Sequence, residues 1–448
     1  AARSVAESRS GAAGPGPVHL NLPFREPLLG DAAAGGRLTP GRAEGAPWHT
    51  VVAGGRPPEE EWLRARVAAG PLRPASRGLI VAGAGCGEPG PILAMAELLG
   101  WPVLADPRSG LRRPAPGVIG AADGILRSDR FAGAHLPDCI VRLGERWVSK
   151  VVNGFVSRAV SLGAHSVVVD PAGRWSDPER EVVELVRADP TRFAREVARR
   201  VAEGDRRPEG DGLAPWVAEW QQAEDRAQEA MDRLLGGLRG EVALTEPSLA
   251  RHLYHRLPEP STLVVSSSMP VRDLESFAGP RDRPPRVLSN RGANGIDGVV
   301  STALGVALAG PGPTVALVGD LAFLHDVSAL VGPGGADVDL TVVVADNRGG
   351  GIFSFLDPAS MLDPGTFDTL FATPQAPDPA SVAAGFGWPV DDVGPDAGMA
   401  GLNEALARRV GAGSRSVIRV QLPGRAANVA RHHDVTAAIV DAVNRPDG

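Results

Sequence analysis

Two polar positions at a fixed interval are the first sign of chemistry in this 448-residue chain. Asp320 follows Gly319 at the end of one apolar run, and Asn347 follows Asp346 at the end of the next. They stand 27 residues apart, about one right-handed strand–helix–strand crossover, so both side chains reach the carboxyl edge of adjacent parallel strands. A carboxylate, an amide oxygen and a backbone carbonyl in the turn Arg348–Gly349–Gly350–Gly351 make half of an octahedral oxygen shell. Mg²⁺ takes such partial protein coordination and completes it with phosphate oxygens and water. A second segment, Ser289–Gly298 (SNRGANGIDG), follows a strand and opens a helix over Val299–Ala309. Its glycines let backbone N–H groups approach an anion at a helix N-terminus. A third, Ser266–Arg272 (SSSMPVR), also follows a strand and starts a helix, where hydroxyls are expected as N-caps. Finally, Lys150 is the one lysine among 46 basic residues. A lone survivor in an Arg-, Ala- and Gly-biased chain points to a need for a compact ammonium.

The elements that must position these residues form two α/β units. From Arg77, apolar runs at Leu79–Ala84, Pro102–Ala105, Cys139–Leu143 and Ser166–Val169 alternate with helix-length stretches. Continuous apolar strands between helices predict a parallel sheet covered on both faces. A polar connector around Glu203–Gly212 closes this unit, and a charged amphipathic helix over Trp216–Leu235 leads onward. The second unit has strands at Thr262–Val265, Arg286–Leu288, Thr314–Val318, Leu340–Ala345 and Val417–Val420. Its strand ends are much richer in polar residues and glycine, and ligands bind at that edge of open parallel sheets. Residues 1–50 read differently, as one short strand at Pro17–Leu22 and a loose linker. A solitary strand cannot bury its faces, so this segment is expected to end a further domain. The expected division is 1–50, 51–205 and 206–448.

Composition removes several classes. Apolar residues at 43% and charged residues at 22% suit a globular protein with large cores. No run approaches the ~18 apolar residues of a membrane span, and no secretory leader follows Ala1, so a cytoplasmic protein is expected. A net charge of −7 and no Arg–aromatic stripe argue against a nucleic-acid partner. Cys86 and Cys139 show no metal or disulfide spacing and read as buried apolar residues. Gly83, Gly85 and Gly87 follow a strand but lack the third glycine of the dinucleotide fingerprint. His432–His433–Asp434 reads as a surface helix start.

The Asp320/Asn347 pair resembles the metal-diphosphate motif of thiamine diphosphate enzymes, Gly-Asp-Gly followed some two dozen residues later by Asn-Asn. Leu321 replaces the usual third glycine, and Asp346 the first asparagine. Ser289–Gly298, Gly319–Asp326 (GDLAFLHD), Gly349–Leu356 (GGGIFSFL) and even Pro17–Leu28 (PVHLNLPFREPL) together resemble the 2-succinyl-5-enolpyruvyl-6-hydroxy-3-cyclohexene-1-carboxylate synthase family. That family performs the thiamine-dependent step of menaquinone biosynthesis. The resemblance implies a fold of two doubly wound parallel-sheet domains preceded by the terminal strand and linker of a third. It implies thiamine diphosphate with Mg²⁺ or Mn²⁺ as cofactors, the metal held by Asp320, Asn347 and the Gly349 carbonyl. Ile296 is implied as the wedge that folds the cofactor's two rings together, with Ser267, Leu321, Ile352 and Phe353 as further cofactor contacts. Ser268, Arg272, Arg291 and Lys150 are implied to hold substrate carboxylates and to serve catalysis, Phe353 and Leu356 to wall the substrate.

The reaction implied is decarboxylation of 2-oxoglutarate and conjugate addition of the resulting carbanion to isochorismate. Both substrates are polyanions, which gives the three cations one purpose. In this superfamily the cofactor lies between two subunits, so a homodimer or homotetramer is implied. The Glu that activates the aminopyrimidine lies in a pyrimidine-binding domain, expected before Pro17. Glu26, Glu59, Glu60 and Glu61 lie in or after the linker and offer no substitute. The chain by itself is therefore expected to turn over nothing. Two other readings stay open: another thiamine diphosphate 2-oxoacid carboligase or decarboxylase, and a non-catalytic diphosphate-binding module.

Overall fold

The computed structural model describes residues 16–22, 72–73, 77–174, 176–203, 214–236, 243–292, 295–332 and 338–446, with the isolated positions 4 and 8. The linker glutamates Glu26, Glu59, Glu60 and Glu61, and residues 204–213 of the connector, lie outside them. Two six-stranded, all-parallel sheets organise these residues. The first contains β1 (Gly78–Ala82), β2 (Val103–Ala105), β3 (Val118–Ile119), β4 (Cys139–Leu143), β5 (His165–Val169) and β6 (Glu184–Val186). Its spatial order is β3-β2-β1-β4-β5-β6, so the strand order reverses between β1 and β4. The second contains β7 (Thr262–Val265), β8 (Arg286–Leu288), β9 (Thr314–Gly319), β10 (Leu340–Asp346), β11 (Val390–Val393) and β12 (Arg415–Gln421), ordered β11-β12-β10-β9-β7-β8. β1, β4 and β10 are buried along their whole length because helices cover both faces, as the unbroken apolar runs require.

Pro17–Leu22 differs from expectation: it is exposed and forms no strand. Among the described residues no strand pairs with it, and an isolated strand has nothing to hold its backbone. His432 also departs from the sequence reading. It lies inside the long helix Arg425–Val443, largely buried, with its ring edge-on to Phe277 and Phe355. Both cysteines are buried and free, as expected.

The two units share core. Trp220, Ala227 and Met231 of the helix Pro215–Leu235 pack in one cluster with Leu79 and Ile119 of the first sheet and Val435 and Ile439 of the last helix. Polar groups add a second tie. Arg112, fully buried beyond β2, donates to the carbonyls of Leu274, Glu275 and Ala278 at the end of the helix Met269–Phe277. The last turn of a helix leaves such carbonyls short of partners, although the Leu274 carbonyl also accepts from the Ala278 amide. In the turn after β4, the Val148 and Ser149 amides donate to the two Glu275 carboxyl oxygens at 2.8 and 2.6 Å. The helix that follows β7 is thus gripped by the first unit.

Candidate functional site

The carboxyl ends of β7, β8, β9 and β10 open into a cavity of about 400 Å³. Ser267, Ser268 and Arg272 reach it from the turn after β7, Arg291 and Ile296 from the segment after β8. Asp320 and Leu321 come from the end of β9, and Asn347, Gly349, Ile352 and Phe353 from the glycine turn after β10. Ala293 and Asn294 of the β8 segment lie outside the described residues. Lys150 and Leu356 do not line the cavity. Lys150 is the exposed first residue of the helix Lys150–Ser161, next to the Ser149 amide that holds Glu275. Leu356 is exposed.

Adjacent parallel pairing of β9 and β10 brings Asp320 and Asn347 to the same carboxyl edge, as their spacing requires, with Asn347 one residue beyond the register partner of Asp320. Asp320 is buried, and its two oxygens accept from the Leu321 amide at 2.8 Å and the Gly349 amide at 2.7 Å. Burial, reinforced by the neighbouring Asp346 carboxylate, pushes the Asp320 carboxyl up to about 6. A cation would reverse that preference, since a nearby positive charge favours the ionised form. Asn347 donates through Nδ2 to Glu246 Oε1 at 2.6 Å, while its Oδ1 is buried with no hydrogen-bond partner. A buried orphaned acceptor beside a carboxylate is the donor set of a hard cation, so the residues present fit Mg²⁺. The turn is built for close approach. Gly349 has φ 132°, and a Cβ there would lie 2.4 Å from the Ala372 carbonyl.

Asp346, the departure from the usual asparagine, has a structural occupation. Its Oδ2 accepts from Arg419 Nε on β12 at 2.7 Å, and its Oδ1 from the Arg348 amide at 3.2 Å. It is therefore committed to its own turn and a neighbouring strand.

The cationic side of the cavity is held by backbone. Ser268 has φ 71° and ψ −136°, a conformation L-residues seldom adopt, and Arg272 Nη1 donates to its carbonyl at 2.6 Å. Arg291 Nη1 lies 3.4 Å from Ser267 Oγ, which itself donates to the Asn290 carbonyl at 3.2 Å. Burial lowers both guanidiniums from their ordinary value. The nearby Arg291 adds to the effect on Arg272, and Arg108 to that on Arg291. Two partly buried cations facing one cavity favour an anion that relieves their repulsion.

Sequence reasoning missed Glu246. It opens the helix Glu246–Arg256, lines the cavity, and is 5% exposed. Burial, then the Asp273 carboxylate, pushes it up to about 8. Only the acidic first turn after Thr245 marked it, and that pattern occurs at many helix starts.

Comparisons with known proteins agree with this geometry. Residues 71–265 match the middle domain of thiamine pyrophosphate enzymes. Residues 274–420 match the thiamine pyrophosphate enzyme C-terminal TPP-binding domain. The chain carries the middle and C-terminal domains of a thiamine pyrophosphate enzyme. Among similar proteins, the 2-succinyl-5-enolpyruvyl-6-hydroxy-3-cyclohexene-1-carboxylate synthase of Chloroflexus aurantiacus is 38% identical over 391 residues, covering 85% of this chain and 63% of the relative. The synthase of the same name from Bacillus velezensis is 36% identical over 394 residues, covering 86% and 64%. The chain thus spans a little over three fifths of the length of these curated relatives. An X-ray structure of an enzyme from Mycobacterium smegmatis, described as thiamin diphosphate-dependent, has the same fold with a TM-score of 0.53 at 18% identity, covering 84% of this chain and 67% of its own. The thiamine pyrophosphate-binding domain is therefore the one whose sheet edge opens into the cavity.

Proposed function

We propose that this chain supplies the middle and diphosphate-binding domains of an enzyme that decarboxylates 2-oxoglutarate and adds the product carbanion to isochorismate. The observation that carries this reading is the pairing, in one cavity, of two guanidiniums with a carboxylate and an orphaned amide oxygen. Thiamine diphosphate, when bound, supplies the electron sink that carbanion chemistry at a 2-oxoacid needs. Asp320, Asn347 and the Gly349 carbonyl hold Mg²⁺ or Mn²⁺ for its diphosphate. Ile296 forms the wedge under the cofactor, with Ser267, Leu321, Ile352 and Phe353 around it. Ser268, Arg272 and Arg291 orient substrate carboxylates. Arg291 stands close enough to Arg272 to lower that guanidinium's affinity for the proton, so a dicarboxylate between the two cations is favoured over a monocarboxylate. Lys150, at the junction of the two units, meets the outer carboxylate, and Leu356 covers the substrate's apolar side. Relatives of greater length support a further pyrimidine-binding domain, and the reading includes a cytoplasmic homodimer or homotetramer sharing its cofactor sites. We place the domain borders near residues 50 and 205.

Steady-state turnover of isochorismate by the intact gene product, with 2-oxoglutarate or pyruvate as donor, tests the proposal. A strong preference for 2-oxoglutarate is expected. A preference for pyruvate would favour a monocarboxylate carboligase and overturn the assignment of the paired arginines.

A further inference from the structure

Glu246 is 101 residues from Asn347 in the chain, yet the two side chains meet in the floor of the cavity. The backbone of Glu246 is fixed by a reciprocal cap: Thr245 Oγ1 accepts from the Ser248 amide, and Ser248 Oγ accepts from the Thr245 amide. Its carboxyl receives Asn347 Nδ2 at 2.6 Å. On the other side stands Gly351, where a Cβ would lie 2.6 Å from Asn347 Nδ2. The amide is therefore wedged between an acceptor and a bare backbone. Its one free polar atom, Oδ1, is buried without a partner.

An asparagine amide has two nearly isosteric ends, and only one can bind a cation. We propose that Glu246 is a positioning residue that selects the oxygen-out orientation of Asn347 and so presents Oδ1 to the divalent cation. If the amide turned over, an NH₂ group would face the cation and an oxygen would face the Glu246 oxygen. Glu246 excludes that state by accepting from Nδ2. In this role it acts through Asn347, the residue that its carboxyl holds. Gly351 has the complementary function of leaving room for the amide in that orientation. This inference rests on the reading of Asp320 and Asn347 as metal ligands, and adds that the amide is held rather than free.

The test is Mn²⁺ affinity, read by electron paramagnetic resonance on the full chain with thiamine diphosphate present. Removing a partner that orients a metal ligand typically costs ~10–100-fold in affinity, and Glu246→Leu is expected to fall in that range. Glu246→Gln keeps an acceptor oxygen without the charge and is expected to restore the unsubstituted affinity. Gly351→Ala, which crowds the amide without altering Glu246, is expected to weaken Mn²⁺ as Glu246→Leu does. If Glu246→Gln binds Mn²⁺ as poorly as Glu246→Leu, the carboxyl acts by charge and the inference is overturned. Unchanged affinity in Glu246→Leu overturns it equally. Should Glu246→Leu fail to fold, the Gln and Gly351 variants decide alone. Asp320→Asn separates the layers: if it too leaves Mn²⁺ binding intact, the metal reading itself fails, whereas its loss beside an unaffected Glu246→Leu removes only the positioning claim.

Discussion

The two sheets have the same strand number and the same all-parallel pairing, yet among the described residues they treat their carboxyl edges differently: that of the second opens into the cavity. In the first sheet the turns after β1 and β4 interlock. A Cβ on Gly83 would lie 1.8 Å from the Glu145 carbonyl, and one on Gly144 2.3 Å from the Ala84 carbonyl. Trp147 caps the same edge by donating to the Ala82 carbonyl at 3.1 Å. Beyond β2, Asp106 and Arg108 form a buried pair at 2.7 Å, and Arg108 reaches on to Glu145 at 3.1 Å. The polar groups named at that edge have found partners within the protein. In the second sheet the equivalent turns carry glycines, serines and a carboxylate, and an amide oxygen is left without a partner. Topology offers a binding edge twice; the side chains decide whether it is filled or kept open. The first edge has become a brace, because its turns hold the helix Met269–Phe277 that presents Ser268 and Arg272.

The comparison breaks most visibly at Asp106. Its Asp106→Ala substitution leaves the buried Arg108 guanidinium with only the more exposed Glu145 carboxylate and the Arg146 carbonyl as partners, and breaking such a buried pair costs about 3–5 kcal/mol. Urea denaturation should show that loss, with the midpoint falling sharply. A loss below about 1 kcal/mol, the range of exposed ion pairs, would mean the first edge is not closed by its ion pair.

Asp320→Ala is the matching change at the open edge, with the opposite signature. Stability should hold or rise, since a buried carboxyl disfavoured by its surroundings is removed. Metal-dependent binding of thiamine diphosphate should fall by ~100-fold or more, because the cation loses its charged ligand. Calorimetry with the cofactor and Mg²⁺ reads this directly. Unaltered binding would show that the motif has been misread.

These two sites were not equally legible. The strand ends of the second sheet stood out because apolar runs stop abruptly at Ser266, Asp320 and Asn347. The central strands of both sheets were legible for the same reason. The strands that were not, Val118–Ile119, Glu184–Val186 and Val390–Val393, are all sheet edges, paired on one side only and too short or polar to form an apolar run. Glu246 and the Asp106–Arg108–Arg112 group were illegible for another reason. Each works through a partner distant in the chain, and no local spacing records which distant residue will arrive.

The brace can be sharpened by pH. Burial, then the nearby Asp106 carboxylate, pushes Glu275 up to about 8, above an unfolded-state value near 4.5. Between those values the folded protein binds the proton more tightly than the unfolded chain. Stability from this group is therefore full at low pH and is lost as pH rises toward 8. One such group gives a slope of at most about −1.4 kcal/mol per pH unit. Glu275→Gln should start from a lower baseline, because an NH₂ must face one of the two donating amides, but its slope should be flatter by that one proton. Parallel slopes for the two proteins would place the proton elsewhere.

The smallest effects belong to the cations proposed to meet substrate, and they rank by burial. Arg272 is partly buried, lines the cavity and is held through the Ser268 carbonyl. Losing a charge-assisted contact there costs ~1.5–3 kcal/mol, so Arg272→Ala should raise the apparent KM for the donor or acceptor acid roughly tenfold or more. Lys150 is exposed and outside the cavity lining, where solvent screens its charge. Exposed pairs contribute about 0–1 kcal/mol, so Lys150→Ala should raise the KM by no more than roughly fivefold and lose much of that effect at high salt. Both variants should bind thiamine diphosphate normally, since neither residue belongs to the turn proposed to hold the metal. Steady-state kinetics at two ionic strengths, with cofactor titration alongside, separates the cases. A Lys150 effect as large as that of Arg272 and insensitive to salt would mean that the lysine is drawn into the cavity in the complete enzyme, and that the first unit contributes to the substrate site as well as bracing it.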